Sequence, residues 1–330
     1  MTRPFSLISS HTLMSRLLLL IGVLLNGTAM ADEEMTLQGP QGPLHGAYIH
    51  AGENLATVLI IPGSGPIDRD GNGGFGIRSN VYRLLAHGLA EKGISSLRID
   101  KRGMYSSSKA IADGNKVTIE DYADDVSRWS AILSSRSGHE CVWLLGHSEG
   151  GLVALKTVET GSATVCGLLL AATPGRPLGE LMRDQLKANP ANAPVLKDAF
   201  RIMDRLEAGE KVPEQDVPGA LKPLFNSGLQ DYMINLFSHD PLPLMTSYNG
   251  PSLILQGTED LQVPPSDAEN LHGAGIDTKL QIVAGMSHML KQVENAGMEA
   301  NLATYTDPNL PLANEVTSML SEFILANQPN

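Results

Sequence analysis

Three residues in this chain have the types and the order needed for nucleophilic catalysis: Ser148, Asp260 and His288. A serine hydroxyl is a weak nucleophile at neutral pH and needs a base within hydrogen-bond reach, a task suited to imidazole. The base needs an acid on its other nitrogen, which fixes the tautomer and stabilises the imidazolium. Ser148 lies in Gly146-His147-Ser148-Glu149-Gly150, the G-x-S-x-G pattern of a nucleophile elbow, directly after the apolar run Val142–Leu145. A bare G-x-S-x-G also occurs by chance as a Gly-Ser turn, so its weight comes from context. Asp260 follows the apolar run Ser252–Gln256, and His288 follows Lys279–Val283. Glu259 competes with Asp260 for the acid, and Gly-x-x-Asp followed by Gln262-Val263-Pro264 favours Asp260. His147 is adjacent to the serine, but its place in the elbow aims it elsewhere.

These residues are useful only if a fold brings strand ends together. Parallel strands do so, since ligands bind at their C-terminal edge. Eight strand-like segments can be read: Glu34–Leu37, Leu44–Ile49, Thr57–Ile61, Ile94–Ile99, Val142–Leu145, Val165–Ala172, Ser252–Gln256 and Lys279–Val283. Several are apolar on both faces, as buried parallel strands are. Helical spacing appears over Ser79–Lys92, Ile119–Leu133, Gly151–Val158, Ala268–Ala274 and Leu312–Leu325. Asp121, Asp124 and Asp125 near the start of the second helix suit its dipole. The expected architecture is α/β, a mostly parallel eight-stranded sheet with helices on both faces.

Thr57–Ile61 runs into Pro62-Gly63-Ser64-Gly65-Pro66 and then Asp68-Arg69-Asp70-Gly71-Asn72. A rigid glycine-rich loop at that sheet edge can aim backbone N–H groups at an oxyanion, and Ser64 is the expected donor. The second donor is the N–H of Glu149, at the start of the helix after the elbow. Asp100 and Arg102, after Ile94–Ile99, are read as an ion pair shaping the loop beneath the site, with no chemical role.

Residues 174–250 break the strand–helix rhythm. Helix-like pieces at Leu178–Ala188, Val195–Ala208 and Gly228–Leu236 are separated by Asn189-Pro190, Val212-Pro213 and Val217-Pro218. This reads as a helical cap inserted before the acid-bearing strand, splitting the core into 32–173 and 251–330. Such a cap is expected to roof the serine and enclose a shallow pocket.

Residues 1–31 read as a secretory signal. Arg3 and Arg16 are their only charges, Leu17–Leu25 is too short to span a bilayer, and Ala29 and Ala31 frame a cleavage site after Ala31. Met14 also offers a compact start. The expected location is therefore periplasmic or secreted, an oxidising compartment. Cys141 and Cys166, the only cysteines, begin consecutive strands. Adjacent strands lie about 4.8 Å apart, within disulfide range. The pair is either a disulfide or two small buried side chains.

Hydrophobic content of 42% and charged content of 18% fit an ordinary globular chain. A net charge of −12 with no Lys/Arg cluster argues against nucleic acid and against anionic lipid surfaces. No Cys/His spacing suggests a metal, and neither a P-loop nor a dinucleotide fingerprint suggests a cofactor. No lipid-anchor cysteine follows the apolar run, so no stable membrane anchor is expected.

The sequence resembles the α/β-hydrolase superfamily over nearly all of residues 32–330. The segments Gly63–Asn72, Asp100-Lys101-Arg102-Gly103, Gly146–Gly150 and Gly285-Met286-Ser287-His288 resemble bacterial carboxylesterases related to the serine aminopeptidase-like and dienelactone hydrolase-like groups. The resemblance implies an acyl-enzyme mechanism and a helical cap before the acid strand. Serine at the elbow excludes dehalogenase and epoxide hydrolase chemistry, where aspartate stands. Met104-Tyr105-Ser106 departs from the small residues common there, which bears on local loop shape. The leading expectation is a serine carboxylesterase for short-acyl esters. An aminopeptidase or amidase would need a cap carboxylate to hold an amine, with Glu180, Asp184 and Asp204 available. A non-catalytic binding protein is the third reading, against which the intact triad argues.

Overall fold

The structure is a computed structural model, and it describes Met1 and residues 31–74, 76–161, 164–293 and 297–329. The leader expected over residues 1–31 falls almost wholly outside the described residues. Strands β1 (Asp32–Gln38), β2 (Pro43–Ile49) and β3 (Ala56–Ile61) come first, followed by α1 (Val81–Ala90) and β4 (Ile94–Ile99). Then come α2 (Ile119–Ser137), β5 (Val142–His147), α3 (Glu149–Glu159) and β6 (Val165–Ala171). Helices α4 (Leu178–Ala188), α5 (Leu196–Glu207), α6 (Lys222–Phe225), α7 (Gln230–Phe237) and α8 (Pro241–Ser247) occupy the stretch before β7 (Ser252–Gly257). The chain ends with α9 (Pro265–Ala274), β8 (Thr278–Val283), α10 (Met298–Thr306) and α11 (Val316–Ala326).

The eight strands form one sheet in the order β1-β2-β4-β3-β5-β6-β7-β8. Pairing is antiparallel between β1 and β2 and between β2 and β4, and parallel from β4 onward. The expected α/β class and strand count hold. Helix α10 has no counterpart in the sequence reading, and the last helix begins at Val316 rather than Leu312. Residues 312–315 instead pass Leu290, with Ala313 N–H donating to its carbonyl at 2.8 Å.

Alternation along β3 sorts side chains between two cores. Val58 and Ile60 pack with Leu85, Leu89 and Trp143 on the side of α1 and α11. Leu59 and Ile61 pack with Trp129, Leu133 and Leu152 on the side of α2 and α3. That second core runs without a break into the inserted helices, through Leu206, Phe225, Leu236 and Leu244. The inserted segment is therefore seated on the domain through shared apolar surface, the main favourable term in such packing.

Thr118 caps α2 with a reciprocal pair, its side chain accepting from Asp121 N–H and the Asp121 carboxylate accepting from Thr118 N–H. Cys141 and Cys166 are joined in a disulfide across the starts of β5 and β6, with Cα atoms 5.2 Å apart.

Candidate active site

At the end of β5 the chain turns on Ser148, whose backbone sits at φ 54°, ψ −124°. A non-glycine residue in that region costs on the order of 1–3 kcal/mol and persists only where its surroundings impose it. Here they do. Ser148 N–H donates to Ala171 O at 2.9 Å, and Gly151 N–H donates to Ser148 O at 2.9 Å. A Cβ on Gly146 would lie 2.3 Å from Gly150 O, and one on Gly150 would lie 2.2 Å from Ile61 O. Only glycine permits strand, turn and helix to approach this closely.

Asp260 follows β7 and His288 follows β8. Their side chains meet, with His288 Nδ1 2.8 Å from Asp260 Oδ2. Asp260 also accepts from the N–H groups of Gln262 at 2.8 Å and Val263 at 2.9 Å, and from Gln256 Nε2 at 3.0 Å. Burial would raise its pKa. The His288 charge and these hydrogen bonds outweigh burial and hold the carboxyl below its usual range. With a carboxylate as acceptor, the proton of this hydrogen bond is carried by His288 Nδ1. Ser148 and His288 line the same cavity of about 110 Å³. The Ser148 hydroxyl makes no hydrogen bond to a described residue. Contacts of this kind commonly tighten only with substrate in place. Glu259 turns its side chain away, toward Thr258.

The 63–74 loop is braced by its own motif. Asp68 Oδ1 accepts from Asp70 N–H at 2.9 Å and Asn72 N–H at 2.8 Å. Asp70 accepts from Arg98 of β4, and Arg69 N–H donates to Asp100 Oδ1 at 2.9 Å. Tyr105 O–H reaches Pro66 O at 2.5 Å, so the departure at Met104-Tyr105-Ser106 serves to pin this loop. Among the described residues neither Ser64 N–H nor Glu149 N–H donates to a protein acceptor, while Gly63 N–H is taken by Tyr82 at 2.8 Å.

The pairing expected between Asp100 and Arg102 is corrected. Asp100 serves Arg69, whereas Arg102 forks onto Asp125 at 2.7 and 2.9 Å and onto Asp121 at 2.7 Å. Lys101, between them, went unremarked in the sequence. It is buried and donates to Gly63 O at 2.6 Å and Glu149 Oε1 at 3.1 Å.

His147 lines the same cavity and joins a buried hydrogen-bonded chain. His288 O can only accept, so His147 Nε2, 2.8 Å away, carries the ring proton. Nδ1 then accepts from Tyr82 O–H at 2.9 Å. Burial, reinforced by the neighbouring His288, pushes His147 down to about 3, so it stays neutral.

The cavity at Ser148 is walled by Ile67, Ile77, Val81, Met289, Gln262 and Tyr305, with no residue of 174–250. The expectation that the inserted helices roof the serine is corrected: the 63–82 segment, the loops carrying Gln262 and Met289, and Tyr305 of α10 supply the walls. The helices approach from the flanks. Pro223, Leu229 and Tyr232 border a cavity of about 490 Å³ beside Gly65 and Pro66. Gln185 and Pro190 border one of about 620 Å³ with Leu261, Met298 and Leu302. Gln262 Nε2 and Tyr305 O–H, 2.5 Å apart, stand between the latter and the serine cavity. Among the described residues no group of three His, Cys, Asp or Glu side chains could hold a metal ion, and no helix is long and apolar enough to cross a membrane.

Comparison with known proteins supports the fold. Residues 72–213 match the family described as serine aminopeptidase, S33, a span that contains Ser148 and Glu149. The chain is 30% identical over 242 residues to esterase EstD of Thermotoga maritima, covering 72% of this chain and 54% of EstD. It thus spans about half the length of that relative. Among solved structures, the α/β hydrolase GrgF of a Penicillium species aligns with a TM-score of 0.60 at 16% identity, over 91% of this chain and 99% of GrgF. An esterase of Thermogutta terrifontis aligns with a TM-score of 0.53 at 18% identity, over 91% of this chain and 100% of its own. These distant likenesses concern the fold. Together with the strand order and the strained elbow serine, they show the α/β-hydrolase fold.

Proposed function

We propose that this protein is a serine hydrolase that cleaves short-acyl carboxylic esters through an acyl-enzyme intermediate. Ser148 Oγ attacks the ester carbonyl while His288 Nε2 takes its proton. Asp260 holds the His288 tautomer and stabilises the imidazolium. The N–H groups of Ser64 and Glu149 receive the oxyanion, each worth about 3 kcal/mol. His288 returns the proton to the leaving alcohol, and water, activated by the same imidazole, releases the acid.

The observation that carries this reading is the cavity shared by Ser148 and His288. At about 110 Å³ it is smaller than the roughly 150 Å³ apolar cavity that accommodates benzene, so an acyl group of about four carbons fills it. Among the described residues its walls hold no carboxylate. That favours ester over aminoacyl substrates, whose ammonium needs an anionic partner. The candidates for that partner do not line the cavity: Asp184 pairs with Arg176 at 2.7 Å, Asp204 pairs with Arg183 at 2.6 Å, and Glu180 lies on α4. The name of the matched family therefore does not decide the substrate. Export is proposed on the leader-like residues 1–31 and is supported by the Cys141–Cys166 disulfide, which suits an oxidising compartment.

The test is kcat/KM across p-nitrophenyl acetate, butyrate, octanoate and palmitate beside aminoacyl p-nitroanilides, with fluorophosphonate labelling of Ser148. The expected result is labelling, with a maximum at acetate or butyrate. A maximum at palmitate, or faster anilide than ester cleavage, would overturn the substrate class, and absence of labelling would overturn the mechanism.

A further inference from the structure

Glu149 poses an electrostatic problem. Its N–H is one of the two proposed oxyanion donors, yet its side chain is a fully buried carboxylate in the same residue. A bare negative charge there would oppose the oxyanion that the amide is meant to stabilise. The surroundings answer this with convergent donors. Lys101 Nζ is 3.1 Å from Oε1, while Ser64 Oγ at 2.8 Å and Tyr232 O–H at 2.5 Å both reach Oε2. Lys101 is itself 2% exposed, lies over the Tyr122 ring, and donates to Gly63 O at 2.6 Å.

Burial by itself would keep Glu149 protonated. The Lys101 charge and the hydrogen bonds from Tyr232, Ser64 and Lys101 outweigh it and hold the carboxyl below its usual range. The pair is thus ionic and close to neutral as a unit. Strand order explains how it assembles. In the sheet β4, β3 and β5 are parallel neighbours, so Lys101, the 63–64 turn and Glu149 emerge side by side at one edge.

We propose that Lys101 and Glu149 are positioning residues for the oxyanion hole, and that Tyr232 couples the inserted helix α7 to it. The carboxylate fixes the Ser64 turn through the Ser64 hydroxyl and fixes the elbow through its own backbone. Lys101 cancels its charge and clamps the carbonyl of Gly63, whose peptide unit supplies the Ser64 N–H. Both donors are therefore set by one ion pair. A buried ion pair is weak evidence of stabilisation, since a well-packed apolar pair is often as stable. Its placement between the two donors is what points to function.

This inference rests on the proposed esterase mechanism, and the two are separable: labelling of wild-type Ser148 decides that mechanism without reference to Lys101. The experiment measures kcat, KM and the affinity of a trifluoromethyl ketone, whose hemiketal oxyanion mimics the intermediate, on folded variants with p-nitrophenyl butyrate. Lys101→Met is expected to lower kcat and ketone affinity together by about 100-fold, the scale of one lost oxyanion donor, with KM within about threefold. Lys101→Met combined with Glu149→Gln removes both charges and should regain at least about tenfold in kcat and ketone affinity over the single variant, since no unpaired carboxylate then opposes the oxyanion. Tyr232→Phe and Ser64→Ala each remove one hydrogen bond to the carboxylate and should cost about tenfold in kcat; they serve as the test should Lys101→Met fail to fold. A folded Lys101→Met within threefold of wild-type kcat, a double variant no faster than the single, or hydroxyl deletions that leave kcat unchanged would each overturn the proposal.

Discussion

The C-terminal edge of the sheet and the inserted helices of residues 174–250 stand in different relations to the proposed chemistry. At the sheet edge, each loop following β3, β5, β7 and β8 delivers a side chain or an amide to one small cavity. The helices wall none of that cavity, and they touch the site network at Tyr232 and at Gln185, whose Nε2 donates to Gln262 O at 3.0 Å. Yet both regions share one apolar core through Leu206, Phe225 and Leu236. Packing continuity and chemical participation are therefore independent. A segment can be welded to a domain by burial and still reach the site through a few hydrogen bonds.

The comparison breaks most sharply at the serine. Ser148→Ala should lower kcat by about a million-fold, and His288→Ala by a similar factor, because nucleophile and base act as a unit. Turnover of the purified variants on p-nitrophenyl butyrate measures this, and an unchanged rate would remove the sheet edge from the chemistry. Next in size is Asp260→Asn, expected to cost about ten-thousand-fold in kcat, while Glu259→Gln stays near wild type. The reverse pattern in the same assay would move the acid to Glu259.

A third variant sharpens the boundary between the cavities. Tyr305→Ala removes half of the barrier toward the neighbouring cavity of about 620 Å³. The ratio of octanoate to butyrate kcat/KM should rise about tenfold, a scale set by the 1–3 kcal/mol that a methylene is worth in an apolar pocket. An unchanged ratio would mean that the two spaces do not communicate. The smallest effect is expected on the helices themselves. Asp184→Asn and Asp204→Asn should change ester turnover by less than about threefold, since both carboxylates lie in surface ion pairs, which contribute little. A large loss specific to aminoacyl anilides would instead assign them to substrate.

What could be read from the sequence follows the same divide. Apolar runs ended by Gly-x-Ser-x-Gly, by Gly-Thr-Glu-Asp and by Gly-Met-Ser-His mark strand ends, and the requirement that Ser148, Asp260 and His288 meet selects a parallel sheet. The structure joins Asp260 to His288 and puts His288 in one cavity with Ser148. Lys101 was illegible for a specific reason. Its partner depends on β4, β3 and β5 being neighbours, and lateral strand order leaves no periodic trace in the chain. A lysine at the end of an apolar strand, needing a carboxylate if buried, was the available signal. The Tyr82–His147 link was hidden likewise, because α1 and β5 are distant in sequence and meet only through packing. The wall at Tyr305 depends on α10, whose apolar positions show little helical sidedness, so that helix had no clear signature.

The disulfide between Cys141 and Cys166 changes the topology of the molecule as well as its stability. With 25 residues of separation it closes β5, the elbow, α3 and the start of β6 into a covalent ring, and Ser148 lies on that ring. Closure of a loop this size restricts the unfolded chain by about 3.5 kcal/mol in the entropic account. A single peptide cut anywhere within the ring would leave both ends tethered to the sheet. The proposed nucleophile is thus carried on a stretch of chain that a single cleavage cannot sever from the rest.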